Sequence, residues 1–408
     1  MTTLRPLPRS LDPLPDESII GYVLRLGHRL GLAPDRVADI TGLISGHSRD
    51  RMALAKMLTT IDHASMAAFT TATRLTAHEA RQLFLEPLMV RYPPAVWATW
   101  TKYRAHTQFG SWVFTRSTRY CPQCLTGNDT AIQRDHGGAW RRSWRLPIVF
   151  ACTTHKRLLE HACPRCATPA HHRSQAYLQR WSSAELHPAQ CRATSHRTAR
   201  PCGAWLTDPR RSSSPLAPHL RRLQDKLVAL LNGKPPGIPT SPGETQREPS
   251  IYFLDLAMTT YLIRATWPVS GQLLRNTEEI AIVDDVLGPA DGRLQSNYPG
   301  RTNPAPRRAM SKLHRLHCTP PLETLPCALL LSAADELLQH DSTEQLVARF
   351  RPIAAVAEDK LDVVTGHARF LCSPRLVDAI AEIRNLPTRR SATPSAISSL
   401  GTGHSARE

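Results

Sequence analysis

At 408 residues the chain is long enough for two or three domains of ordinary size. Its 51 Lys+Arg against 34 Asp+Glu leave a formal charge of +17, which favours a polyanionic partner, nucleic acid first, over a basic protein with no such partner. No run of about 18 apolar residues is present and no secretory leader is seen, so a membrane span is excluded and a cytoplasmic location is expected.

Residues 1–15 are Pro-rich and read as extended. Asp16 can cap a helix with Glu17 and Ser18 in its first turn. Ile19, Val23, Leu26 and Leu30 then fall on one helical face, and Gly31 ends the helix. A short helix over 34–40 follows. Residues 62–86 hold a second helical pair, with Asp62 as a cap. In Thr76-Ala77-His78-Glu79 the Thr hydroxyl can accept from the Glu N–H while the Glu carboxylate reaches back to the Thr N–H. Two short helices with a tight connection give a helix-turn-helix outline, although many such pairs are only packed helices. A recognition helix is expected near 78–85, with His78 and Arg81 as candidate DNA contacts.

Residues 117–206 hold seven of the ten cysteines and little helical periodicity. In a reducing compartment such cysteines point to metal rather than disulfides. Cys121 and Cys124 form one two-residue-spaced knuckle. Cys152 and His155 repeat the spacing with a thiol and an imidazole. Cys163 and Cys166 form another knuckle, with Cys191 and Cys202 as candidate partners. A tight turn at this spacing puts two side chains at neighbouring corners of a tetrahedron, and zinc closes a structural site with four such ligands. Two structural Zn2+ ions are expected. His161, His171, His172, His187 and His196 lie near the second set, and a histidine in place of one cysteine there stays open. Cys318, Cys327 and Cys372 lack paired spacing and read as small buried side chains.

Nothing marks an enzyme. Each metal set has four protein ligands and leaves no place for water. The zincin, zinc-deaminase and phosphate-loop motifs are absent. Trp140-Arg141-Arg142-Ser143-Trp144-Arg145 can offer phosphate contacts at Arg141, Arg142 and Arg145. The competing reading packs the tryptophans under a helix and leaves the arginines solvated.

Linkers are read at 207–217 and 232–250, around a helical stripe of Leu220, Leu223, Leu227 and Leu230. A further stripe runs through Leu254, Met258, Tyr261 and Leu262 and stops at Pro268. In the last third, Ser332 to Asp335 can cap a helix through Leu338. Asp341 or Ser342 can cap another, and Ser373-Pro374 opens a third with Leu376, Ile380 and Ile383 on one face. A small bundle is favoured there over a second helix-turn-helix. The expected organisation is mainly α with small zinc-ribbon β elements. It comprises a helical helix-turn-helix domain over 1–116, tandem zinc ribbons over 117–206 and a linker with one helix over 207–250. A helical region over 251–387 and a disordered tail over 388–408 complete it.

The order of motifs resembles the TniQ/TnsD family. It runs from Leu14-Pro15-Asp16-Glu17-Ser18 and Leu75-Thr76-Ala77-His78-Glu79-Ala80 through Tyr120-Cys121-Pro122-Gln123-Cys124. Trp144-Arg145-Leu146-Pro147, Cys152-Thr153-Thr154-His155 and Cys163-Pro164-Arg165-Cys166 follow. The likeness covers about residues 10–206. It implies a target-selection adaptor for a transposon that binds DNA, or a guide-RNA effector complex already on DNA, and recruits an AAA+ regulator and then a transposase. A homodimer is compatible with it. The alternatives are a free-standing zinc-ribbon transcription regulator and, from a different class, a zinc hydrolase or nuclease.

Overall fold

The computed structural model describes residues 6–8, 10–44, 58–98, 112–115, 117–171, 185–194, 200–208, 216–233, 248–288, 320–340, 342–354 and 372–385. It is mainly helical, with few strands. Helix α1 spans Ile19–Leu30 and buries residues from Ile19 to Gly27. Its cap is Ser18, whose side chain accepts from the Gly21 N–H, and Gly31 ends it at φ 64°. The cap expected at Asp16 is corrected: Asp16 turns back at φ 58° and its carboxylate bonds Arg142 and Ser143 instead. Helix α2 spans Pro34–Ile40, with Pro34 at its first position, where a missing N–H costs nothing.

Helix α3, His63–Thr73, is capped by Asp62, and α4, Ala77–Gln82, carries the full Thr76/Glu79 capping box. Arg74 ends α3 in a left-handed turn. The expected recognition helix is cut short. Beyond Gln82 the chain leaves the helix, and Leu83, Phe84 and Leu85 are buried. Leu83 accepts from the Ile19 N–H and so pins α4 to the start of α1.

The Cys-rich region follows with α5, Pro122–Thr126, α6, Ala131–His136, and a 3-10 turn at Arg142–Arg145. Strands β1, Ala151–Cys152, and β2, Arg157–Leu158, pair antiparallel with Ala151 opposite Leu158. Tyr120 joins this hairpin through two bonds of 2.7 Å with Glu160. The small sheet exposes little of its own. Trp140, Trp144, Tyr120 and Phe150 are buried and continuous with the helical core, which is how a region poor in secondary structure acquires apolar cover. The packing alternative for the two tryptophans therefore describes this fold. Gly21 makes the approach possible, because a Cβ there would lie 2.8 Å from the Cβ of Trp140.

The C-terminal part is a helical bundle. Helix α7, Pro218–Leu231, buries Leu220, Leu223, Leu227 and Leu231. Helix α8, Pro249–Ala265, is buried from Tyr252 to Ala265 and packs against α10, Thr324–Leu338, which is also apolar on nearly every side. Helix α9, Thr277–Leu287, starts at an Asn276 cap, whose side chain accepts from the Glu279 N–H. Helices α11, Thr343–Ala354, and α12, Pro374–Asn385, pack together, with Leu346, Phe350, Leu376, Ile380 and Ile383 inside.

One C-terminal cap is misplaced by the sequence. Helix α10 begins at Thr324, so Ser332 and Asp335 lie within it. The Asp335 carboxylate accepts from Lys226 at 2.7 Å and from the Tyr252 hydroxyl at 2.5 Å. Ser342 does act as a cap, its hydroxyl accepting from the Gln345 N–H. Cys327 is buried with its thiol directed at the Pro147 carbonyl, and Cys372 is half-buried near the Leu254 carbonyl. Cys318, and the tail expected from 388, lie outside the described residues.

The helix at 218–231 does not hang in a linker. Gln224, buried on its inner face, accepts from the Phe150 and Ala151 N–H groups at 2.7 Å each and donates to the Ile148 carbonyl at 3.2 Å. One amide side chain thus satisfies the backbone edge of β1 and holds α7 against the Cys-rich region.

Candidate metal centres and nucleic-acid interface

The first cluster is built by two turns meeting face to face. Cys121 stands at the N-cap of α5 and Cys124 lies within it, because Pro122 starts the helix directly after the first cysteine. Cys152 ends β1, and His155 sits in the turn to β2. Lys156, at φ 52°, closes that turn by donating its N–H to the Cys152 carbonyl. His155 Nδ1 consequently lies 3.4, 3.3 and 3.4 Å from the Sγ atoms of Cys121, Cys124 and Cys152, and Cys124 Sγ is 3.6 Å from Cys152 Sγ. Donors about 2.0–2.3 Å from one tetrahedral zinc would stand roughly 3.5–3.8 Å apart, so the spacing suits a single ion.

The second cluster has the same logic. Cys163 and Cys166 flank a turn closed by the Ala167 N–H donating to the Cys163 carbonyl. Cys191 and Cys202 stand opposite each other where the chain doubles back. The Cys191 N–H donates to the Ala204 carbonyl, and the Gly203 N–H donates to the Cys191 carbonyl. Gly203 takes φ 67° there, the left-handed conformation that a side chain resists. Cys163 and Cys202 sulfurs are 4.0 Å apart, and those of Cys166 and Cys191 are 3.7 Å apart. In each cluster all four donor atoms lie within 4.8 Å of one another, and among the described residues these are the two groups that could hold a metal ion.

Both donor sets are frustrated without a cation. Hydrogen bonds from Cys121 and Cys124 hold the Cys152 thiol far below the ordinary range, while Cys121, Cys152 and burial push Cys124 far above it. In the second set, a hydrogen bond from Cys191 lowers Cys163 to about 5, while Cys163 and burial drive Cys191 far above its ordinary value. Crowded thiols cannot all ionise side by side. A divalent cation removes that conflict, so the residues fit the ion.

Four sulfurs close the second set among the described residues. His171 is half-buried against the Trp140 ring at 4.0 Å, and desolvation holds its pKa well below the usual value. His187 packs elsewhere, against His28 and Trp205. His161 is half-buried, whereas His172 and His196 lie outside the described residues.

The expected nucleic-acid contacts divide. His78 and Arg81 are exposed on α4. Arg141 is half-buried, its guanidinium 5.9 Å from the Trp144 ring. Arg142 and Arg145 point inward, which corrects both the phosphate role and the solvated alternative. Arg142 donates to Asp16 at 3.1 Å, to the Phe84 carbonyl at 2.8 Å and to Gln82 at 3.0 Å. Arg145 is buried and donates to the Phe114 and Ser117 carbonyls at 2.9 and 2.8 Å. Both fix the ribbon in place.

Residues 8–159 match the family model described as TniQ. This stretch is a TniQ domain. It takes in α1 through α4 and the whole first cluster, and stops before Cys163, short of the 206 suggested by the resemblance. No curated protein and no solved structure matches the chain. The TniQ domain is linked to DNA binding in transposition target selection, and its family members are non-catalytic adaptors. Among the described residues, no helix is long and apolar enough to cross a membrane.

Several residues that organise this domain were not singled out by the sequence. Glu17 and Arg25 form a fully buried ion pair of 2.7 Å, and Glu17 also accepts from the Leu14 N–H. Arg119, fully buried, donates to the carbonyls of Pro147, Val149, Pro321 and Leu322. The leucine-proline-acid-acid-serine opening was a usable signal: Leu14 and Glu17 close its turn, Asp16 holds the ribbon, and Ser18 caps α1.

Proposed function

We propose that this chain is a zinc-stabilised, DNA-binding target-selection adaptor of a transposon, which recruits an AAA+ regulator and through it the transposase. The observation that carries the reading is the coincidence of the TniQ match with a closed Cys3His set inside it. Cys121, Cys124, Cys152 and His155 hold one zinc, and Cys163, Cys166, Cys191 and Cys202 hold a second. The ions are structural, because four protein donors leave no position for water or substrate.

The +17 charge supplies sequence-independent affinity for the DNA backbone. His78 and Arg81, exposed on α4, are the contacts that fit such a role, with Arg141 as a peripheral one. A guide-RNA effector complex on the target is a second platform that suits the same adaptor.

The test pairs elemental analysis of the purified full chain with a salt series of DNA binding and capture of an AAA+ ATPase encoded beside it. Two zincs per chain, a steep salt dependence and stable capture support the adaptor. DNA binding without capture of the ATPase favours the free-standing regulator, and absence of both zinc and DNA binding overturns the reading.

A further inference from the structure

Three imidazoles from separate segments meet at one seam. His28 lies in the last turn of α1, His136 ends α6, and His187 stands four residues before Cys191. His28 Nδ1 and His136 Nδ1 are 2.9 Å apart, and the His28 ring centroid is 5.1 Å from that of His136 and 5.0 Å from that of His187. On its other side His187 meets Trp205, three residues after Cys202, at 4.9 Å. The end of α1 therefore touches the segment that leads to Cys191, and that segment in turn packs on Trp205 beyond Cys202. Among the described residues the imidazoles do not close into a third metal group.

The geometry points to an acid-sensitive latch: the imidazole cluster holds the C-terminal end of α1 against the second cysteine set while neutral, and lets it go when a second proton enters. The bond between two Nδ1 atoms needs one donor and one acceptor. One N–H between the rings satisfies it, whereas two protonated rings present two donors face to face. His187 Nδ1 accepts from the Ala189 N–H, so its protonation at that nitrogen breaks a further bond.

The surrounding charges sharpen the response. Arg192 acts on His28 and His187, and Arg29 and Arg25 of α1 act on His136, Arg25 being paired with Glu17. Asp135 of α6 is the anion that favours protonation. Burial comes first in every case and lowers His28 and His136. Burial, followed by its two imidazole neighbours, lowers His187 to about 4. A histidine held below its ordinary value stabilises the fold in its neutral form. The seam is thus intact above about pH 6.5 and weakens as the pH falls from there towards about 4.

The experiment is hydrogen exchange on the zinc-loaded full chain, reading residues 26–32 from about pH 8 down to about pH 5.5 with intrinsic exchange rates corrected and bound zinc measured in parallel. The expected result is a loss of protection of about tenfold in the native chain with zinc retained, and a much shallower profile in the His28→Gln/His136→Gln double variant, which keeps only His187 of the three imidazoles. Should the double variant fold poorly, His187→Gln alone is read the same way, with a shallower profile expected. Unchanged protection in the native chain overturns the latch, as does the same loss in the variants or zinc release in step with the opening. The readout requires no DNA, so a failure of the adaptor reading is distinguishable from a failure of the latch.

Discussion

Asp16 and Arg142 stand 126 positions apart and form an ion pair of 3.1 Å between Nε and Oδ1. Around it, the Arg142 N–H donates to the Asp16 carbonyl and the Ser18 N–H donates to the Trp140 carbonyl at 2.7 Å. The entry to α1 and the segment between the cysteine pairs are thus stitched by side chain and backbone together. Arg142→Ala removes three side-chain bonds and leaves the Asp16 carboxylate, whose pKa burial already raises, with less compensation. The pair is only partly exposed, so the expected cost is about 2 kcal/mol, between the surface and buried limits. Chemical denaturation measures it. Unchanged stability with a shallower salt slope in DNA binding would instead return Arg142 to a phosphate role.

The two cysteine sets should part company under a chelator. Each set has two cysteines buried in the core, Cys121 and Cys152 in the first and Cys163 and Cys191 in the second, but Cys166 of the second is exposed where Cys124 and His155 of the first are half-buried. A graded chelator titration is expected to withdraw one zinc equivalent first, with Cys202→Ser losing that same equivalent and keeping the other. Cys124→Ser should lose the tighter ion and unfold the TniQ domain, since the metal's binding free energy is folding free energy. A Cys124→Ser chain with two zincs and an unaltered melting curve would sink the assignment of the first set.

The sequence carried the local structure well and the long-range structure poorly, for a physical reason. Caps at Asp62 and Thr76, the stop at Gly31 and the two-residue knuckles are decided by neighbours within a few positions, so they are written in the local order of residues. The inward turn of Arg142 and Arg145 is decided by carbonyls in distant segments. Read locally, Trp-Arg-Arg-Ser-Trp-Arg is as good a phosphate-binding string as a packing one. The same holds for α10: Ser332 resembles a cap, but seven preceding apolar or small residues already continue the helix into the core. Asn276 is the converse case, a cap at the head of α9 that its local signal, an Asn followed three residues later by Glu279, already spells.

Glu17 and Arg25 test how a charge is kept inside the TniQ domain. Both are fully buried, and the pair has carboxylate and guanidinium atoms without further hydrogen-bond partners. Glu17→Gln leaves the Arg25 cation inside without a counter-ion and should cost about 3–5 kcal/mol. Replacing both, as Glu17→Gln/Arg25→Met, should recover most of that loss, because a neutral pair has little desolvation to repay. A double variant as unstable as the single one would show that Arg25 is held by its packing rather than by its charge partner. Thermal unfolding of the four chains of the cycle reads this directly.

Arg119 joins the TniQ domain to the C-terminal bundle. Its guanidinium donates to Pro147 and Val149 carbonyls on one side at 3.0 and 3.1 Å, and to Pro321 and Leu322 carbonyls on the other at 2.9 Å each. Arg119→Met keeps much of the volume but strips four carbonyls of their donor, and about 3 kcal/mol of stability should go with it. Because the lost bonds bridge two parts of the chain, unfolding should also split into two transitions, with the bundle and the domain melting separately. A single cooperative transition of unchanged midpoint would mean that Gln224 and the apolar contacts of α7 suffice for docking.

Arg81 and Arg145 separate DNA contact from scaffold. Arg81 is exposed on α4 with His78 beside it, whereas Arg145 is buried on the Phe114 and Ser117 carbonyls. Losing one phosphate contact should lower the slope of log affinity against log salt by about 0.9. Arg81→Ala is therefore expected to weaken DNA binding, reduce the slope by that amount, and leave the melting temperature unchanged. Arg145→Ala should do the converse, lowering the melting temperature with the slope intact where the protein remains folded. If the Arg145 variant folds normally and loses slope, its guanidinium reaches DNA by turning out of the position it occupies here, and the division between contact and scaffold is wrong for this residue. If Arg81→Ala leaves both affinity and slope untouched, α4 is not the DNA-facing helix, and the contact surface must be sought on other exposed cations.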